Sequence, residues 1–125
     1  MNLLLDTHIL LWWLSDDRRL GKAARDLITD QGNAISVSVV SLWEIVVKQR
    51  IGKLDADIAE IAGAIEQDGF ALLAIAPRHL TTLARLPAFH NAPFDHLLIA
   101  QAIAEDMTFL SSDRHTPQYP VRLAV

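Results

Sequence analysis

Residues 2–8 read NLLLDTH, an apolar run that ends at an aspartate. Three leucines in succession, with no alternation of polar and apolar side chains, predict a short strand at Asn2–Leu5 that is buried in a sheet. In a parallel sheet, the residue after such a strand reaches the carboxyl edge, where ligands bind. Asp6 is therefore the first candidate for a functional side chain.

Strands and helices alternate along the rest of the chain. Apolar runs predict further strands at 34–37, 70–75, 108–111 and 121–124. Apolar residues at helical spacing, with capping and stop signals, predict helices at 9–14, about 21–30, 38 or 41 to about 51, 55–67, 77–83 and 93–105. This alternation predicts an α/β fold, with a parallel sheet of four to five strands covered by helices on both faces.

The composition predicts one globular domain over residues 1–125. Hydrophobic residues make up 51% of the chain, and there is no cysteine, which excludes disulfides and thiol catalysis and suits a cytoplasmic location. A net charge of -4 argues against a general basic surface for nucleic acid, but clustered carboxylates neutralised by a metal would still allow a nuclease. Because Asp6 and His8 interrupt the first apolar run, we expect neither a signal peptide nor a membrane span.

Three more acids share the placement of Asp6. Asp113 follows the fourth strand, Glu44 lies early in the helix after the second strand, and Asp95 lies in the first turn of the helix that leads to the fourth strand. In an open parallel sheet these four positions meet at one edge. Clustered carboxylates repel one another unless a cation lies among them, and an oxygen-lined pocket prefers Mg²⁺, with Mn²⁺ as the alternative. We expect such a site to serve phosphodiester chemistry.

Each acid also has a purely structural interpretation. Asp6 can cap the first helix, Asp95 can be a favourable charge at a helix N-terminus, and Asp113 can be a turn residue. Glu44 lies three residues after Ser41, as in a capping box. The joint placement of the four acids, rather than any one of them, favours the metal site.

Four segments carry a family resemblance: LLDTH (4–8), SLWEI (41–45) followed by Lys48, PFDHLLIAQA (93–102) and FLSSD (109–113). They resemble the PIN-domain ribonucleases and, more narrowly, the VapC toxins of bacterial type II toxin–antitoxin pairs. The resemblance covers essentially the whole chain. It implies a three-layer α/β/α fold and an endoribonuclease in which a Mg²⁺-activated water attacks the phosphodiester. It also implies that Asp6, Glu44, Asp95 and Asp113 are the metal-binding and catalytic acids.

The same resemblance implies the partners of the chain. These are an RNA substrate, a cognate antitoxin that blocks the site, and a second copy of the chain in a homodimer. The helix at 9–14 is apolar on every face, which independently predicts that part of its surface is covered by another chain.

Two residues near the third acid depart from the family pattern. Ala92 replaces an aspartate suited to cap the helix, so we expect Asn91 to take over that role. His96 replaces an arginine, which removes a permanent positive charge.

Other polar residues have weaker assignments. Hydroxyl groups near the predicted edge can orient the carboxylates or a metal-bound water, and these belong to Thr7, Ser38 and Ser111. We predict that three histidines are surface or loop residues, namely His79, His90 and His115.

Two other functions are left open by the residues alone. The first is a phosphatase of the haloacid-dehalogenase kind with Asp6 as nucleophile, although that chemistry usually has a second aspartate where this chain has His8. The second is a non-catalytic binding module that the metal stabilises.

Overall fold

A five-stranded parallel sheet forms the centre of the computed structural model, which describes residues 1–124. The strands are β1 (Asn2–Leu5), β2 (Ala34–Ser38), β3 (Ala71–Leu73), β4 (Thr108–Leu110) and β5 (Leu123–Ala124). They lie side by side in the order β3-β2-β1-β4-β5, and every neighbouring pair is parallel. The predicted parallel sheet is confirmed, although β3 and β5 are shorter than the apolar runs suggested.

Helices occupy both faces of this sheet. They are α1 (Thr7–Leu14), α2 (Lys22–Thr29), α3 (Val39–Arg50), α4 (Ile58–Gln67), α5 (Pro77–Arg85) and α6 (Pro93–Ala104), with short 3₁₀ turns at Arg18–Leu20 and Thr116–Gln118. No helix within residues 1–124 is long and apolar enough to cross a membrane.

The N-termini of α3 and α6 show which residues cap these helices, a question that the sequence left open. The hydroxyl of Ser38 accepts the N–H of Val40 at 3.0 Å and caps α3, so Ser41 and Glu44 lie inside the helix and do not form a capping box. The prediction that Asn91 caps α6 is wrong, because Ala92 occupies the N-cap position and no side chain caps the helix there.

The central strand β1 is buried on both faces. Leu3 and Leu5 belong to one core, which α1 to α4 cover, whereas Leu4 belongs to a second core that α6 covers from the other side. Successive side chains of a strand point to opposite faces, so three leucines in a row supply both cores at once. The three-layer α/β/α arrangement is therefore confirmed.

The sheet contains one topological switch point. From β1 the chain builds outward through β2 and β3 on one side, and β4 and β5 lie on the other side. The N–H of Asp6 donates to the carbonyl of Leu110 at 3.0 Å, which extends the pairing of β1 with β4 by one residue. Ligand crevices of open α/β sheets form at this place, outside the carboxyl ends of the two strands where the order reverses.

A buried polar network fixes α6 against the sheet. The side-chain amide of Gln101 accepts a hydrogen bond from the hydroxyl of Ser38 and donates to the carbonyl of Ala74 at 3.3 Å. Its nitrogen also lies 3.2 Å from Nδ1 of His79, and Nε2 of that histidine lies 2.8 Å from Glu105. His79 is fully buried, so its predicted surface position is wrong. The network joins α6 to the ends of β2 and β3 and to α5.

We predict that Gln101→Ala lowers the free energy of unfolding by about 1–3 kcal/mol, because it leaves buried partners without hydrogen bonds. Urea denaturation measures this difference. Gln67→Ala is the matched control, since Gln67 is an exposed residue of α4, and its effect should stay within about 0.5 kcal/mol. Equal stability of the two variants would contradict a structural role for the network.

Candidate metal centre at the sheet edge

Four carboxylates converge on the crevice at the switch point. Asp6 directly follows β1, Asp113 lies three residues after β4, and Glu44 and Asp95 lie in α3 and α6. Asp6 and Glu44 are only 3% and 5% exposed, whereas Asp95 and Asp113 are half-buried. The charges of the other three acids all raise the pKa of Asp95, which places the four predicted residues within electrostatic reach of one another.

Ser111 links the acids that follow the two central strands. Its hydroxyl donates to Oδ2 of Asp6 at 2.7 Å and accepts the N–H of Asp113 at 3.1 Å. Asp113 is fixed further because its Oδ1 accepts the N–H of His115 at 2.8 Å. This leaves Oδ1 of Asp6 buried and without a hydrogen-bond partner in the described part of the chain.

Glu44 is held from within its own helix. Oε2 accepts a hydrogen bond from Nζ of Lys48, one turn later, at 2.7 Å. Its other oxygen, Oε1, is buried and finds no partner among residues 1–124. Each of the two most buried acids therefore has one oxygen engaged by the protein and one oxygen free.

The remaining predicted hydroxyls lie differently. Thr7 is buried directly after Asp6, and its Oγ1 donates to Oγ of Ser41 at 2.9 Å, which joins α1 to α3. The Ser38 hydroxyl is engaged by the α3 cap and by Gln101, and it bonds to none of the four acids in the part of the chain described.

Burial and like charge disfavour ionisation in this crevice. Burial is the largest cause that raises the pKa of Asp95, to about 6, and the charges of Asp6 and Glu44 add to it. The pKa of Asp6 is also raised, again chiefly by burial, although the hydrogen bond from Ser111 opposes the shift. Such pKa shifts are expected where a pocket gathers carboxylates without a compensating cation.

The structure adds a histidine to the acids. A donor atom of His90 and one carboxylate oxygen each of Asp95 and Asp113 all lie within 4.8 Å of one another. His90 lies in a loop, as predicted, although its side chain is only 11% exposed. In the sequence, the position of His90 five residues before Asp95 is the feature that hints at its place beside the acids, because no periodic pattern covers that loop.

The donor atoms in the crevice fit a divalent metal ion. Oδ1 of Asp6, Oε1 of Glu44 and Nε2 of His90 are all buried, and none has a hydrogen-bond partner within residues 1–124. Buried polar atoms are ordinarily paired, so these unpaired atoms, together with Nε2 of His96, are candidates for binding a ligand. Carboxylate oxygens with one imidazole nitrogen suit a divalent cation.

Comparison with known proteins identifies the fold and the family. The family model for the PIN domain matches residues 3–121. Ribonuclease VapC22 from Mycobacterium tuberculosis is 26% identical over 113 residues, which cover 89% of this chain and 86% of that protein.

Solved structures give the same fold. VapBC2 from Rickettsia felis, bound to a DNA fragment from their promoter, superposes with a TM-score of 0.72 at 16% identity and covers 98% of this chain and 97% of its own. VapBC-5 from Mycobacterium tuberculosis, a member of the VapBC family of toxin–antitoxin systems, gives a TM-score of 0.65 at 18% identity with the same coverage.

We predict that Asp95→Asn is more stable than the wild type at neutral pH without metal, and that the difference vanishes in acid. The folded chain binds the Asp95 proton more tightly than the unfolded chain, whose pKa is near 3.8. As pH rises from about 4 to about 6, the unfolded state gives up its proton first, so the free energy of unfolding falls. The Asp95→Asn variant has no carboxyl group at this position, so its free energy of unfolding does not fall in this way.

Urea denaturation in EDTA at several pH values tests this prediction. Asp55→Asn, which alters an exposed carboxylate, serves as the control and should show no such pH-dependent gain. If Asp95→Asn were less stable than the wild type at every pH, the repulsion argument would fail.

Proposed function

The chain belongs to the PIN domain family, and on that premise we propose that it is a metal-dependent endoribonuclease acting as the toxin of a toxin–antitoxin pair. One observation carries the proposal: four carboxylates meet at the switch point of the sheet, and the two most buried acids each have one oxygen that no residue within 1–124 pairs. Its likeness to a VapC ribonuclease over 89% of the chain supports the same activity.

We assign a divalent metal ion, Mg²⁺ or Mn²⁺, to Asp6, Glu44, Asp95 and Asp113. A divalent ion at this place supplies positive charge for a phosphodiester oxygen and lowers the pKa of a bound water. The protein's part is to hold the donors in place. Ser111 fixes Asp6 against Asp113, and the N-terminal turn of α6 carries Asp95 to the crevice.

Lys48 is a cation in direct contact with one of the four proposed metal-binding acids. Its ammonium pairs with Glu44, and the side chain is 36% exposed, so it lies at the border between the acids and solvent. An ammonium in this position can meet the phosphate of an RNA strand while it remains hydrogen-bonded to Glu44. The local charge thus supplies an anchor for RNA in a chain whose net charge is negative.

We predict that Asp6→Asn, Asp95→Asn and Asp113→Asn each abolish cleavage of RNA while they preserve the fold. The amide keeps the shape of the side chain but removes the charge that holds the ion. Cleavage of total RNA in Mg²⁺ or in EDTA measures activity, and circular dichroism reports the fold. Asp55→Asn should cleave like the wild type.

Three outcomes would contradict the proposal. Activity within a few-fold of the wild type in any two of the three variants would remove the four-acid site. Hydrolysis of a phosphomonoester with no cleavage of RNA would favour a phosphatase instead, and inactivity on both substrates would favour a non-catalytic binding module.

Two protein partners follow from the proposed function. Relatives of the same fold were solved as VapBC complexes, so we propose a cognate antitoxin for this chain. We also propose a homodimer, and we place its contact on α3 rather than on α1. The indole of Trp13 in α1 donates to Asp68 at 3.0 Å and packs on Phe70, so α1 is partly covered within its own chain.

A more exposed apolar surface lies on α3. Trp43 is 53% exposed and, with Val46, Val47 and Ile51, lines a hollow of about 280 Å³. The edge of the Trp43 ring contacts Phe94 of α6, with ring centres 4.8 Å apart. Large aromatic residues of this kind are typical anchors of protein interfaces.

We predict that light scattering after size exclusion gives a dimer mass for the wild type and a monomer mass for Trp43→Glu. Glutamate removes the aromatic anchor and places a charge at the contact, whose burial costs more free energy than pairing with Arg50 at the rim of the hollow returns, so association is lost. Leu80→Glu is the matched control, since Leu80 is 50% exposed on α5, away from α3. A wild-type monomer at tens of micromolar would contradict the homodimer.

A further inference from the structure

His90 occupies an unusual position for a loop histidine. It precedes α6 in an irregular segment, yet its side chain is almost fully buried at the border of the four-acid crevice. Its Nε2 lies 3.5 Å from Oδ2 of Asp95, too far for a well-formed hydrogen bond, and it has no other partner among the described residues. A buried imidazole nitrogen whose one contact is this long approach to a carboxylate is available to bind a ligand together with it.

The rest of the ring is held on three sides. Nδ1 lies 2.8 Å from the hydroxyl of Tyr119, which also accepts the N–H of Phe89 at 3.0 Å. His115 stacks on the ring at a centre distance of 4.8 Å with planes 14° apart, and His96 contacts it edge-on at 4.9 Å. The imidazole is therefore fixed with Nε2 directed toward Asp95.

This arrangement resembles the support of a metal-binding histidine. Such a histidine binds the ion through one nitrogen and donates the N–H of its other nitrogen to an oxygen of the protein, which fixes the tautomer. The Tyr119 hydroxyl can accept from Nδ1 as well as from Phe89, because it has two lone pairs. Nε2 would then carry a free lone pair toward Asp95 and Asp113.

The distances suit shared coordination. Bonds of about 2.0–2.1 Å in an octahedral site place adjacent donor atoms about 3 Å apart and opposite donor atoms about 4 Å apart. The 3.5 Å between His90 and Asp95 lies between these values, and the donor set with Asp113 lies within 4.8 Å. His90, Asp95 and Asp113 would therefore be close enough to hold one ion together.

We propose that His90 is a ligand of the metal and that it makes this centre prefer Mn²⁺ to Mg²⁺. The inference rests on the proposed function, because it concerns the ion held by the same four acids. Mg²⁺ takes oxygen ligands almost exclusively, whereas transition-metal ions also accept imidazole nitrogen. Mn²⁺ combines that tolerance with a preference for carboxylates, and the crevice offers both donor types.

Pulsed electron paramagnetic resonance of the Mn²⁺-loaded protein tests the proposal directly, because it detects a nitrogen nucleus bonded to the ion. We expect a nitrogen signal in the wild type and none in His90→Ala or His90→Gln. The signal should persist in His96→Ala and in His8→Ala, which alter a neighbouring histidine and an exposed histidine close to Asp6.

Calorimetric titration supplies a second readout. His90→Gln should weaken Mn²⁺ binding by about tenfold or more, because removal of a residue that only supports a metal ligand already costs about that much. The same variant should weaken Mg²⁺ binding less. Tyr119→Phe should weaken Mn²⁺ binding by a smaller factor, because it removes only the group that orients the ring. Circular dichroism confirms that each variant is folded.

The possible outcomes separate this inference from the proposed function. Tight Mn²⁺ binding without a nitrogen signal, or a signal that survives in both His90 variants, would overturn the role of His90 and leave the four-acid site in place. Absence of Mn²⁺ and Mg²⁺ binding in the wild type would overturn the metal-dependent ribonuclease itself.

Discussion

The pairing of β1 with β4 is the constraint on which the rest of the structure depends. These strands are separated by about a hundred residues in the sequence, and everything between them folds to one side of β1 or packs across the faces of the sheet. Their pairing creates the switch point, and the hydrogen bond from Asp6 to Leu110 holds the carboxyl ends together beyond the strands. Ser111 and Asp113 follow β4 directly, so the same contact sets the distance between two of the acids.

Stability and chemistry make opposite demands on this edge. The leucines of β1 fill both cores, whereas the next residue carries a carboxyl group that burial makes reluctant to ionise. The hydrogen bond from Ser111 to Asp6 offsets part of that cost. Some buried donor atoms of these acids still have no hydrogen-bond partner in the described part of the chain. A chain selected for stability alone would not retain such atoms.

The sequence predicted the sheet and the convergence of Asp6, Glu44, Asp95 and Asp113 because each acid lies beside a regular element whose direction is known. The environment of His90 could not be predicted in the same way. Its loop has no periodic pattern, and its burial depends on Tyr119, which is distant in sequence. The burial of His79 was not predicted for a similar reason. Its ring nitrogens contact Gln101 of α6 and Glu105, which directly follows that helix. Local patterns reveal strand ends but not the partners that distant segments bring to a loop.

The length of β3 also has a consequence for self-association. It is an outer strand of the sheet and contains only three residues, so it offers few free backbone groups for pairing with the edge of another molecule. Exposed edges of parallel sheets otherwise act as templates for aggregation, especially when they carry apolar side chains such as that of Leu72. A short outer strand allows the protein to keep apolar side chains at its surface while limiting the growth of fibrils from that edge.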